Sequence, residues 1–198
     1  RATAVHESGH AILTVVLPNA DPLHKVSILP RGMALGVTWS LPEERHTYSK
    51  DYFEDVICRA MGGRVAEQIV FGHLNSGAAN DLEQATSIAR RMVREWGMSE
   101  AIGPMAWSGH QQVFLGEDLM TQGREYSDET AKLVDSEIFR ILHEQEARAT
   151  EVLLKYRPAL ELVAEALLER ETIDGAEVAQ LVQASLDHVQ VTEDAHIE

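Results

Sequence analysis

The sequence predicts a mainly α-helical domain with a small β-hairpin beside its first helix. Three observations carry that expectation. Apolar residues recur at helical spacing along most of the chain. Residues 25–29 and 35–40 alternate with period two instead. Glycine and proline fall between these runs rather than within them, apart from a few glycines inside helical stretches.

Taken in order, residues 3–17 show helical periodicity, stopped by Pro18. In "HKVSILPRGMALGVTWSLP", Val26 and Ile28 alternate with polar neighbours, as do Val37, Trp39 and Leu41, and "PRG" supplies turn chemistry. Two short strands are expected, 25–29 and 35–40. From Ser49 to about Val70, Tyr52, Val56, Ile57, Ala60, Val65 and Ile69 recur at helical spacing, and a further helix runs from about Ala78 to Trp96, with Gly97 as its stop. Residues 98–126 form a glycine-bearing connector of a length often used for lids or binding elements. A long helix follows from Ser127 to Lys155, then a shorter one from Pro158 to Glu169, with proline suited to its first turn. In "ETIDGAEVAQLV", Asp174 precedes Glu177 by three residues, a helix-capping pattern. The tail, 187–198, is acidic and expected to fray.

Composition narrows the function. A formal charge of -15 repels phosphate backbones and anionic headgroups, so this segment is expected to contact neither nucleic acid nor membrane. The single cysteine, Cys58, excludes an intrachain disulfide and a Cys-rich zinc ribbon; its apolar surroundings suit a small core residue. No apolar run approaches the ~20 residues that span a bilayer. The start at Arg1, a few residues before the first motif, suggests a segment of a longer protein.

That motif is "VHESGHAIL", residues 5–13. On a helix, His6 and His10 lie one turn apart on one face and aim two imidazoles at one point. Neutral imidazole is a good zinc ligand, and Glu7 flanks the same face, where it could take a proton from a metal-activated water. Gly9 removes a side chain and lets another element approach. The competing reading is a pair of satisfied histidines on an internal helix. A two-histidine zinc site also needs a third protein ligand. Glu67, in "GGRVAEQIV" beside Gly62 and Gly63, is one candidate; Asp81, in "NSGAANDLEQAT" near a helix start, is the other. Glu67 could equally pair with Arg64, and Asp81 could be a favourable first-turn acid. Residue chemistry alone leaves both open.

Together, "HESGH", "KVSILPRGMALGVTWSLPEE", "GGRVAE", "SGAANDLEQAT", "ARRMVREWGMSEAIGP", "VFLG" and "LLERETIDGAEV" resemble, in order, the peptidase domain of the FtsH-type membrane-anchored, ATP-dependent zinc metalloproteases. The resemblance covers roughly residues 3–186. It implies one zinc per chain held by His6, His10 and Asp81, with Glu7 as catalytic base and Glu67 in a supporting role behind the ligands. It also implies a single metallopeptidase domain over 1–186, with a metal-site half with the small sheet at 1–97, a connector at 98–126 and C-terminal helices at 127–186. The family assembles as a six-fold ring beneath ATPase domains, anchored in a membrane with this domain on the cytoplasmic, matrix or stromal side; the segment itself is expected to be soluble. No G-K-[ST] phosphate loop occurs here, so ATP would act only through an ATPase domain this chain lacks. Ser8, where alanine is usual, could add a hydroxyl near the site.

The expected substrates are unfolded polypeptides. They would add as a strand to the edge formed by Leu35, Gly36, Val37 and Thr38, because backbone pairing is indifferent to side chains. Two rivals remain: an inactive assembly module of the same fold, and a free-standing metallopeptidase. A degenerate module should have lost a ligand or the base, and His6, Glu7, His10 and Asp81 are all intact. The three tryptophans are expected in core or interface positions, and Arg90, Arg91 and Arg94 on a solvated face.

Overall fold

A computed structural model describes residues 1–30, 36–41, 46–107 and 126–194, with side chains to residue 186. Within them the architecture is mainly helical with a small antiparallel sheet, as the sequence predicts. Leu35, most of the connector (108–125) and the last four residues lie outside the described residues.

The first helix, α1 (Ala2–Val16), is buried along most of its length, from Ala4 to Thr14 apart from His6. It ends where Leu17 turns extended before Pro18. Strand β1 (Leu23–Ser27) pairs with β2 (Val37–Ser40) as the expected hairpin. A third strand, β3 (Thr172–Asp174), pairs with the other side of β1. The order is therefore β2-β1-β3, with Val26 and Ile173 buried against the helices and β2 at an edge.

Helix α2 (Lys50–Phe71) starts at Ser49, whose side chain accepts from the Tyr52 N–H, and ends at Gly72 in the left-handed conformation. A 3-10 turn (Ser76–Ala78) leads into α3 (Ala79–Arg94), which buries Ala85, Ala89, Met92 and Val93 on one stripe. Helix α4 (Asp128–Lys155) is capped by Ser127 and carries Asp128 and Glu129 in its first turn and Lys155 in its last, each favourable to the helix dipole. Its buried stripe is Val134, Glu137, Ile141, Gln145, Ala149 and Leu153. Helix α5 (Arg157–Arg170) has Pro158 in its first turn. Helix α6 (Gly175–Asp194) begins after Asp174, whose side chain accepts from the Glu177 N–H at 2.9 Å, so the predicted cap is present and also closes β3.

Helix α1 is the hub: α2, α4, α5, α6 and the sheet all pack on it. The deciding contact is the α1–α2 crossing. A Cβ added to Gly9 would sit 2.2 Å from the Gly62 carbonyl oxygen. No side chain fits there, and the two backbones touch.

Candidate metal centre

The crossing sets the site. His6, Glu7 and His10 occupy one face of α1. Helix α2 passes so close that a Cβ on Gly63 would lie 2.4–2.6 Å from the His6 ring. Glu67, one turn further along α2, reaches His6 Nδ1 at 3.0 Å, and the Arg59 carbonyl, one turn before, lies 2.8 Å from His10 Nδ1. Asn75 donates a short hydrogen bond to the other Glu67 oxygen. Glu67 thus supports His6, while Arg64 pairs with Glu146 instead.

Those partners fix the tautomers. Both Nδ1 atoms face acceptors, so the protons of the neutral rings belong on Nδ1 and the lone pairs on Nε2. The Nε2 atoms lie 3.1 Å apart. Asp81, in the first turn of α3, brings Oδ2 to 3.2 Å from His6 Nε2 and 3.5 Å from His10 Nε2. With both rings neutral, three acceptors converge without a donor, a set that a cation between them would satisfy. The spacing fits one. Ligands about 2.0–2.1 Å from a tetrahedral zinc stand roughly 3.3 Å from each other. Imidazole, imidazole and carboxylate would leave a fourth corner for solvent, and the Asp81 side chain is 22% exposed.

Charge reports the same crowding. Burial is the largest influence on His6 and opposes its protonation, yet Asp81, Glu7 and Glu67 together hold its pKa above the ordinary value. Burial also disfavours the charged form of Asp81, and the two imidazoles outweigh it, leaving the carboxyl well below the usual range. Glu7 is buried at 7% exposure, and its Oε2 accepts a 2.8 Å hydrogen bond from Thr38 on β2. A Cβ on Gly36 would lie 2.7 Å from Glu7 Oε1.

Of the residues singled out in the sequence, His6, His10 and Asp81 converge on one point, Glu7 lies beside them, and Glu67 lies behind His6. Gly36 and Thr38 border Glu7, and Val37 lies between them on β2. Ser8 does not add a hydroxyl to the centre: its side chain is fully buried and donates back to the Ala4 carbonyl at 2.6 Å within its own helix. Sequence reasoning missed Asn75 and the Arg59 carbonyl. A backbone carbonyl carries no residue signature, so nothing in the sequence could mark Arg59; Asn75 was legible only as a turn residue before "SGA".

A model of peptidase family M41 matches residues 1–181. The chain belongs to that family. Among its relatives, an ATP-dependent zinc metalloprotease FtsH from Acidimicrobium ferrooxidans is 61% identical over 186 residues, which is 93% of this chain and 28% of the relative. FtsH 3 from Symbiobacterium thermophilum is 48% identical over 188 residues, 94% of this chain and 30% of the relative. The FtsH of Thermotoga maritima is 46% identical over 192 residues, 96% and 31% respectively. This M41 chain therefore spans about three tenths of the length of these curated relatives. None of its described helices is long and apolar enough to cross a membrane.

Proposed function

We propose that this domain is a zinc endopeptidase and the proteolytic segment of an FtsH-like, ATP-dependent protease. The observation that carries the reading is the convergence of His6 Nε2, His10 Nε2 and Asp81 Oδ2, with a buried carboxylate, Glu7, alongside. Zinc held by His6, His10 and Asp81 would act as a Lewis acid and bring the pKa of a bound water toward about 7. Glu7 takes the proton of the attacking water and returns it to the leaving amine as the peptide bond breaks. Glu67 and the Arg59 carbonyl hold the imidazole orientations.

The substrate is an unfolded polypeptide that pairs with the outer edge of β2, running from Gly36 past Thr38. The edge position of β2 and the closeness of both residues to Glu7 support this. The relatives' names support ATP-dependent zinc proteolysis; the family resemblance extends the proposal to a six-membered ring, fed by an ATPase and anchored in a membrane elsewhere in the protein, with this domain on the cytoplasmic, matrix or stromal side.

The test measures metal per chain and cleavage of unfolded casein for wild type, Glu7→Gln and Asp81→Ala. About one zinc is expected in wild type and in Glu7→Gln, with cleavage lost in the latter. Asp81→Ala should lose both. Full zinc and full turnover in Asp81→Ala would sink the ligand set.

A further inference from the structure

We propose that Thr38 is a positioning residue for Glu7, so that the strand expected to receive substrate also aims the base. The inference rests on the reading of Glu7 as the proton acceptor. Thr38 and Gly36 are two residues apart along the β2 side of the hairpin and therefore share a face. Both meet the same side chain. The Thr38 hydroxyl donates to Glu7 Oε2 at 2.8 Å, with a longer 3.4 Å approach to the Glu7 carbonyl. The space where a side chain would stand at Gly36 is filled by Glu7 itself, with Oε1, Cγ and Cδ at 2.7, 2.8 and 3.0 Å from the absent Cβ. Thr38 thus grips one carboxylate oxygen, and Gly36 makes room for the other.

A carboxylate as buried as Glu7 needs a donor. Among the described residues, Thr38 is the side chain found donating to it. Threonine suits the task because branching at Cβ restricts χ1, so the hydroxyl is a stiff donor rather than a roaming one. Its backbone is stiff as well, since Thr38 is paired with Val26, a fully buried residue of the central strand. One fixed oxygen leaves Oε1 as the proton acceptor. Because the hydroxyl donates to Oε2 in both states, the contact does not break when Oε1 takes up the proton. A base held this way spends no time out of line, which raises the rate of the chemical step without changing substrate affinity.

The experiment compares zinc-loaded wild type, Thr38→Val, Thr38→Ser, Gly36→Ala and Glu7→Gln on an unstructured fluorogenic peptide. Thr38→Val keeps the shape and removes the hydroxyl. Its kcat should fall on the order of 10- to 100-fold, with KM and zinc content unchanged. Thr38→Ser should recover to within about threefold of wild type. Gly36→Ala presses on Glu7, which supplies the three nearest atoms, so kcat should fall at full zinc with the fold retained. A second readout uses the metal-free protein. The Tm losses of Thr38→Val and Glu7→Ala should not add in the double variant, because both remove the same bond. Wild-type kcat in Thr38→Val or Gly36→Ala, no rescue by serine, or additive Tm losses would overturn the assignment. A fully active Glu7→Gln would instead overturn the base itself, so the two failures are distinguishable.

Discussion

The α1–α2 crossing is made of backbone, whereas the outer flank of α4 is made of side-chain tips. At the crossing, Gly9 meets the Gly62 carbonyl, and Gly63 meets the His6 ring, with no room for a methyl group. On α4, Arg140 pairs with Glu144 one turn further on, and Glu144 is 53% exposed. The first surface is specified atom by atom and has nowhere to relax. The second is screened by water and can rearrange by rotating long side chains. Precision lies where two imidazoles are held close together, and tolerance lies on a flank that faces solvent.

The sharpest way to break this comparison is Gly9→Ala. The added methyl would press on backbone at 2.2 Å, and neither helix can yield without moving the other. Overpacking of this kind should cost on the order of 3 kcal/mol and lower Tm by roughly 6–12 °C in a chain of this size. A scanning-calorimetry shift below about 2 °C would mean that the crossing is softer than it looks.

Next in size is Glu67→Gln. The amide can still meet His6 Nδ1, but it lacks the charge that holds the ring's proton there. Zinc affinity, measured against a competing chelator, should weaken about 10- to 100-fold, with turnover restored at saturating zinc. Unchanged affinity would show that the crossing alone orients the ring. The smallest effect is expected on α4. Glu144→Ala removes an exposed i,i+4 partner of Arg140 and should shift unfolding by only about 0.3–0.5 kcal/mol in a urea titration. A loss as large as that of Gly9→Ala would erase the contrast between the two surfaces.

Buried cysteine chemistry follows the same division. Cys58 lies on α2 near the crossing with no exposed surface, and burial pushes its thiol up to about 12. It is a core residue, as its apolar neighbours predict. The arginines expected on a solvated face divide. Arg90 and Arg91 are exposed, and Arg91 pairs with Glu95 and lies over the Trp96 ring. Arg94 is half-buried and faces Tyr126. Trp96 itself stacks on Phe53, where the side chain closes the core rather than forming a binding box.

What the sequence determined alone is whatever depends on near neighbours. Helix spans, the Asp174 cap and the hairpin follow from propensity, periodicity and turn chemistry within a few residues. The pairing of His6 with His10 is of that kind, because four residues make one helical turn. Strand β3 was not legible, since three residues carry no periodicity and become a strand only because β1 offers a free edge. The choice between Glu67 and Asp81 was not legible either. Both are carboxylates far along the chain, and their residue chemistry is the same. Only the packing decides that α2, drawn in by glycine contacts, presents Glu67 to the Nδ1 side of His6, while α3 presents Asp81 to the Nε2 side. Local sequence writes the elements; which face of an imidazole each acid meets is a long-range distance, and that exists only once the helices have crossed.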